Sequence, residues 1–301
     1  MKKAVLSVVA ALVVIVAAVA FKNIYSCNIP IGNRGIRDAI SQGELNVLFV
    51  GSSTFRSDFD VKLLDEQYDN RAYILSYGGN QYVATAIQYD EIKNRATENI
   101  DTIIFELDPL GLTEEVKLSD SRVIWDLSME GKLRLWEKMS AVNDDFSLMY
   151  EYFVTSGMDD LITYPVTERF YATRYYKGAK TDDTQSPGKE YLDNEEYDIS
   201  GLELVEAQRD AVLEIIDKCK ADNQKYIFLE CPHYYRLQND PVYTEYLEYI
   251  RKLLDDNDVE YITAEDVEFD NTNPDYFEDM SHMSAVGRQK YTEALIDTLN
   301  K

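Results

Sequence analysis

The sequence predicts an α/β protein, a three-layer α/β/α arrangement built on a doubly wound parallel sheet of about five strands. An N-terminal transmembrane or signal helix precedes the sheet, and a helical cap is inserted into it. Three observations lead to this reading. Short apolar runs rich in β-branched and aromatic residues end in small or turn residues, which suits strands buried on both faces as in parallel sheets. Amphipathic helical patterns alternate with those runs, the order expected of right-handed crossovers. The 301 residues, 45% hydrophobic and 28% charged, are enough for one large core or two small ones.

Taken in chain order, Met1-Lys2-Lys3 precedes eighteen uncharged residues, Ala4 to Phe21, and then Lys22. At ~1.5 Å per residue such a run covers about 27 Å, enough for a thin bilayer core. The two lysines favour a cytoplasmic N-terminus and an exported remainder. Ala18-Val19-Ala20 resembles a signal-peptidase site, whereas the apolar run is longer than the ~7–15 residues of a cleaved signal core. Residues 1–22 therefore read as an uncleaved signal anchor or a cleaved signal peptide, with a helix of the soluble body as the third alternative. Charged Lys22 and bulky Tyr25 argue against lipid attachment at Cys27. Residues 23–44 hold Pro30, Gly32 and Gly35 without a sustained period and read as a linker ending in a short helix.

From residue 45 onward the body begins. Asn46–Val50 runs into Gly51, Ala72–Ser76 into Tyr77-Gly78-Gly79, and Thr102–Leu107 into Asp108-Pro109. Tyr226–Glu230 runs into Cys231-Pro232, and Val259–Thr263 is the fifth run. Helical stripes lie at 83–96, 205–221, 241–255 and 285–299; Val212, Ile215, Ile216 and Cys219 mark one of them. Residues 112–200 interrupt the alternation and carry Trp125, Trp136 and many tyrosines, among them Tyr150, Tyr152, Tyr164, Tyr171, Tyr175 and Tyr197. They read as a partly helical insertion in a domain spanning 45–301, its aromatics either cap core or a platform for sugar rings.

Charge narrows the function. Thirty Lys and Arg against 55 Asp and Glu leave a formal net charge of −25. Such a surface repels phosphate backbones, which excludes a nucleic-acid partner, and gains nothing from an anionic membrane surface. Three cysteines, Cys27, Cys219 and Cys231, cannot build a disulfide framework, and no His/Cys/Asp group has metal-ligand spacing. Neither a metal nor a cofactor is implied.

In open α/β sheets ligands bind beyond the carboxyl ends of the strands. There the first strand ends in Gly51-Ser52-Ser53-Thr54, a turn that exposes a serine or merely caps a helix. Before the last helix stands Asp279-Met280-Ser281-His282, with Ser284 as its N-cap. His282 is one of two histidines in the chain. A serine nucleophile needs a general base near neutral pH, and an aspartate three residues before a histidine can curl back and fix its tautomer. Read separately, each motif is equally a turn and a surface pair.

Together they resemble the SGNH/GDSL hydrolase superfamily. Gly51-Ser52-Ser53 is similar to the family's first block and Asp279-x-x-His282 to its fifth; Ser76-Tyr77-Gly78-Gly79-Asn80 is similar to its second. The resemblance implies an SGNH-hydrolase-like fold and a triad of Ser53 as nucleophile, His282 as base and Asp279 behind it. It implies an oxyanion hole from the N–H groups of Ser53 and Gly79, with Gly78 a weaker candidate. The third block departs from the family: Glu106-Leu107-Asp108-Pro109 lacks the asparagine donor. Ser52, Gly78, Asn80, Asp108, His233 and Arg236 are further candidate substrate contacts. The N-terminal helix and the degenerate third block are similar to exported, membrane-tethered members that act with membrane-bound O-acyltransferase partners on cell-envelope polymers. This implies an extracytoplasmic O-acyltransferase working on a polysaccharide or related polymer, with an O-acetyl esterase and a non-catalytic polymer-binding subunit as alternatives. The body would be tethered outside the cytoplasmic membrane, or secreted if the signal is cleaved.

Overall fold

The computed structural model describes residues 2–27, 33–96, 99–120, 122–142, 150 and 174–300. Helix α1 (Lys2–Ser26) is followed by α2 (Ile36–Ser41), β1 (Leu45–Gly51), α3 (Ser53–Asp58), α4 (Val61–Gln67) and β2 (Ala72–Ser76). Then come α5 (Tyr82–Arg95), β3 (Ile100–Glu106), α6 (Arg122–Asp126), α7 (Met129–Val142), the short pair β4 (Tyr175–Tyr176) and β5 (Ala179–Lys180), and α8 (Lys189–Asn194). The chain finishes with α9 (Glu206–Ala221), β6 (Lys225–Leu229), α10 (Tyr235–Gln238), α11 (Pro241–Asp255), β7 (Tyr261–Ile262) and α12 (Ala285–Leu299).

Five strands form one parallel sheet in the order β2-β1-β3-β6-β7. The chain steps from β1 outward to β2, then back past β1 to β3 and on to β6 and β7. Right-handed crossovers therefore put α3 and α4 on one face and α5, α9 and α11 on the other. The contacts agree: α5 packs against α9 and α7, while α12 returns against α3 and α4. The apolar runs become strands because both faces are covered; Val47, Leu48, Phe49 and Val50 are all buried. The helices start where polar side chains take otherwise orphaned N–H groups. Asp60 accepts from Lys62 N, Asp240 from Val242 N with Pro241 next in line, and Ser284 from Gly287 N.

Two expectations change. Residues 33–44, read as the end of a linker, are built into the domain. Arg34, Ile36 and Ala39 are buried, and Ile36 N donates to Asp126 Oδ2 and, at 3.2 Å, to the Tyr77 hydroxyl. The fifth strand shrinks to two residues because β7 is an edge that pairs only with β6; Val259 stays buried and Thr263 instead caps a short turn. The other edge, β2, is covered by the β4–β5 hairpin, where Ile74 N donates to Lys177 O at 3.0 Å.

Val5–Tyr25 within α1 has a mean hydropathy of 2.7 and is long and apolar enough to cross a membrane. Its C-terminal end rests on the domain, with Lys132 Nζ donating to Asn23 O at 2.9 Å. Within the insertion, Trp125 is buried and Trp136 packs half-buried against the core. Tyr152, Tyr164 and Tyr171 lie outside the described residues.

Candidate active site

Ser53 is the first residue of α3, directly after β1. The turn is tight for a local reason. A Cβ on Gly51 would lie 2.6 Å from Glu106 Oε2, so only glycine lets β1 end against the tip of β3. Ser52, a candidate substrate contact in the sequence, is occupied by this turn. Its N–H donates to Glu106 Oε2, its Oγ meets Glu106 Oε1 at 3.0 Å, and the same Oγ accepts from Thr54 N at 3.2 Å. Ser53 is left pointing elsewhere.

The loop before α12 brings the other two residues. Asp279 Oδ1 accepts the N–H groups of Ser281 and His282, each at 2.8 Å, so the carboxylate folds its own loop. The His282 ring then meets Asp279 on one side, with Nδ1 2.8 Å from Oδ2, and Ser53 on the other, with Nε2 2.9 Å from Oγ. With Nδ1–H donated to the carboxylate, Nε2 keeps the lone pair that can take the Ser53 proton. Burial alone would raise the Asp279 pKa. The hydrogen bond and charge of His282 and the two backbone N–H groups outweigh burial and hold it below the usual carboxylate range. A residue 229 positions away in sequence is thus brought to hydrogen-bonding distance by the sheet.

Asp58 was not legible as a site residue. It is fully buried at the end of α3, and its Oδ1 accepts from Met283 N at 3.0 Å. It ties the His282 loop to the helix that carries Ser53. Burial pushes its pKa well up, against the opposing pull of the Met283 N–H. The only signal in the sequence was an acidic residue one and a half turns beyond Ser53.

The backbone donors divide. Among the described residues, neither Ser53 N–H nor Gly79 N–H has an acceptor. Gly79 has φ +56°, and a Cβ there would lie 2.8 Å from Ser119 Cβ, so glycine is required on both counts. Gly78 N–H is taken by Asp120 Oδ2 at 3.0 Å.

Three candidate contacts are redirected by packing. Asn80 turns onto α5, donating to Thr85 Oγ1 at 3.0 Å and accepting from Gln88 at 2.8 Å. Arg236 donates to the carbonyls of Leu192 and Glu195 at 2.7 and 3.0 Å and lies over the Tyr197 ring. Asp108 accepts from Leu110 N at 3.0 Å inside its own turn. Its carboxyl is raised to about 6 by burial and then by Glu114. His233 is buried beside His282 and edge-on to Tyr243, and its backbone N–H donates to Gln238 Oε1 at 2.8 Å. Burial, and then the charge of His282, lower its pKa to about 4.

Glu106 supports the serine turn from below. Burial, followed by the nearby Asp108, pushes its pKa up to about 8. The folded protein holds this proton more tightly than the unfolded chain, where the group titrates near 4.5. Its stabilising effect is therefore complete below the unfolded value and is lost as pH rises through about 8. Glu106→Gln, a neutral match for the protonated acid, should flatten this dependence. Thermal midpoints of the two proteins should converge near pH 4 and separate in favour of Gln as pH rises to about 8. Parallel curves across that range would refute the raised pKa.

No family model matches the chain, and no curated protein does. Solved structures similar to it include a "putative acylhydrolase" from Bacteroides fragilis, at 10% identity over 91% of this chain and 92% of that one, with a TM-score of 0.41. A "putative platelet activating factor" from Streptococcus pneumonia has 14% identity over 99% of both chains and a TM-score of 0.40. The chain is also similar to a GDSL-like lipase from Bacteroides thetaiotaomicron, at 10% identity over 86% of this chain and 89% of that one with a TM-score of 0.39, a distance at which this chain's own residues carry the functional argument.

Proposed function

We propose that the chain is an SGNH-type serine enzyme, an extracytoplasmic O-acyltransferase that moves an acyl group onto a cell-envelope polysaccharide or related polymer. The contact between Ser53 Oγ and His282 Nε2 at 2.9 Å, with Asp279 behind the ring, is the observation that carries this reading. In the proposed mechanism Ser53 Oγ bonds to the ester carbonyl carbon as its proton passes to His282 Nε2. The N–H groups of Ser53 and Gly79 stabilise the oxyanion. The ester C–O bond then breaks, and His282 returns the proton to the leaving alkoxide. A hydroxyl of the polymer, activated by His282 in turn, takes the acyl group from Ser53.

A second reading is an O-acetyl esterase, in which water takes the acyl group. The exposure of the pair favours it: the His282 and Asp279 side chains are 27% and 36% exposed, so water reaches the acyl-serine. The anchor reading of Val5–Tyr25 supports placing the body outside the membrane, beside a membrane-bound acyltransferase partner.

One experiment separates these layers. A membrane-impermeant fluorophosphonate added to intact spheroplasts should label Ser53, and His282→Ala should abolish the labelling. Labelling only after lysis would sink the outward topology while sparing the enzyme. No labelling in either state would leave only the non-catalytic subunit. Among labelled proteins, acyl release to water without added acceptor selects the esterase.

A further inference from the structure

Glu106 is the last residue of β3, and its carboxyl is directed at the serine turn rather than at solvent. Oε2 accepts the Ser52 N–H, and Oε1 lies 3.0 Å from Ser52 Oγ, which also accepts from Thr54 N at 3.2 Å. The next amide along the chain is the Ser53 N–H, and the next side chain is that of Ser53. One carboxyl group thus fixes the peptide from which both the nucleophile and an oxyanion donor project. The end of β1 is shaped to admit it, since a Cβ on Gly51 would lie 2.6 Å from Glu106 Oε2 and 2.9 Å from Glu106 Cβ.

The surroundings of this carboxyl are closed and acidic. Beside it a cavity of about 10 Å³, lined by Gly51, Asn80, Tyr82, Glu106, Asp108 and Gly111 among others, has room for about one water molecule. The titratable groups that bear on Glu106 are Asp58 on α3, Asp108 in the turn after β3, Tyr82 on α5 and Cys231 after β6, each of them an acid. Asp108 in turn faces Glu114 and Glu230 and bears on Tyr243 of α11. Among the described residues neither Glu106 nor Asp108 forms an ion pair. A carboxylate in such a place lacks both the water and the counter-charge that would stabilise it. Burial and the charge of Asp108 accordingly push the Glu106 carboxyl up to about 8.

We propose that Glu106 is the positioning residue for Ser53 and that it acts as the neutral acid, fixing the Ser52 peptide while keeping negative charge out from under the oxyanion hole. The proposal rests on the reading of Ser53 as nucleophile. In the acid, Oε2 is the carbonyl oxygen that accepts the Ser52 N–H, and the Oε1 hydroxyl donates to Ser52 Oγ, whose other lone pair takes the Thr54 N–H. Loss of the proton to solvent leaves two carboxylates, Glu106 and Asp108, around space for one water. Their repulsion pushes the turn apart, and a negative charge then stands one peptide from the Ser53 N–H, where the oxyanion forms. Both effects raise the barrier of each step that forms an oxyanion and leave the groups that touch substrate in place. The signature is a fall in kcat with little change in KM. The serine turn is thereby gated by pH, competent with the proton on Glu106 and impaired without it.

The test uses the full chain in detergent micelles with phenyl acetate from about pH 6 to about pH 10, the buffer rate subtracted and each variant assayed well below its midpoint. The rate of fluorophosphonate labelling of Ser53 is followed in parallel and should show the same profile. Wild-type kcat should fall reversibly above about pH 8, tending to ~10-fold per pH unit, with KM changed by less than ~3-fold. Glu106→Gln keeps an oxygen for the Ser52 N–H and an amide donor for Ser52 Oγ, so it should abolish the fall and outrun the wild type at the alkaline end. Glu106→Leu loses both hydrogen bonds, and its kcat should drop by ~100-fold across the range. Asp108→Asn removes the charge that holds the proton on Glu106, so the alkaline limb should move to lower pH. A residue that only stabilised the fold would change the midpoints of these variants and leave the shape of kcat against pH alone. Four results each overturn the proposal and leave Ser53 as nucleophile: a flat wild-type profile, a fall that survives in Glu106→Gln, a Glu106→Gln rate as low as that of Glu106→Leu, or a limb that Asp108→Asn leaves in place. If Glu106→Leu does not fold, the Gln and Asn profiles decide alone. Absence of both turnover and labelling in the wild type refutes the Ser53 reading itself, and the proposal falls with it.

Discussion

Ser53→Ala and His282→Ala are each expected to lower aryl-acetate kcat by ~10⁴-fold or more, and the double variant to be no worse than either alone. The non-additivity follows from the geometry. Oγ loses its proton to Nε2 across a single 2.9 Å contact, so either partner without the other does nothing for proton transfer. Asp279→Ala should cost less, by roughly 10- to 100-fold, because His282 can still reach Ser53 in the wrong tautomer part of the time. Asp279 also holds the Ser281 and His282 N–H groups, so its variant should lose thermal stability as well, which Ser53→Ala should not. Activity in Ser53→Ala within ~10-fold of wild type would remove the serine from the mechanism. Effects of the two single variants that multiply in the double would show that Ser53 and His282 do not act as a unit.

Gly287→Ala is expected to be strongly destabilising. Gly287 is buried in the first turn of α12, and a Cβ there would lie 1.9 Å from Tyr276 O and 2.7 Å from Tyr276 C. The obstacle is backbone, which cannot swing aside as a side chain can. The same carbonyl accepts from Ser284 N at 3.0 Å, so relief of the clash breaks the closure of the loop that carries Asp279 and His282. Overpacking together with that lost bond should cost about 2–4 kcal/mol, a midpoint decrease of roughly 5–15 °C. Gly201→Ala, where the added methyl meets nothing within 4 Å, is the matched control and should change stability by less than about 0.5 kcal/mol. Equal midpoints for the two variants would contradict the close approach of α12 to Tyr276. The residual activity of Gly287→Ala, measured well below its midpoint, should also fall, because the His282 loop is the segment that must move.

Much of this protein was determined by the sequence alone. Strand identity is a local property here: residues 46–50 and 72–76 are apolar without alternation, and only a doubly covered parallel sheet buries such runs. The helices at 83–96, 205–221, 241–255 and 285–299 followed from their period, and their caps from Asp240 and Ser284. Gly51-Ser52-Ser53 and Asp279-x-x-His282 were visible as motifs because turn chemistry and the spacing of a carboxylate to an imidazole are encoded within a few residues.

What the tertiary structure decided depends on groups distant in the chain. Arg236 and Asn80 looked available in sequence, yet each was claimed by neighbours, the first by carbonyls 44 and 41 positions away, the second by Gln88 on the following helix. Asp58 and Glu106 carry no motif; their roles exist only because burial beneath the serine turn leaves their carboxyls against Met283 N and Ser52 N. Residues 33–44 lack a sustained pattern because the helix within them is only six residues long, too short for the stripe of Ile36, Ala39 and Ile40 that packs on α5 and β2 to repeat. A local pattern records propensity and periodicity, whereas the partner that satisfies a buried charge is chosen by the sheet order, which brings β1, the turn after β2 and the loop before α12 to one edge.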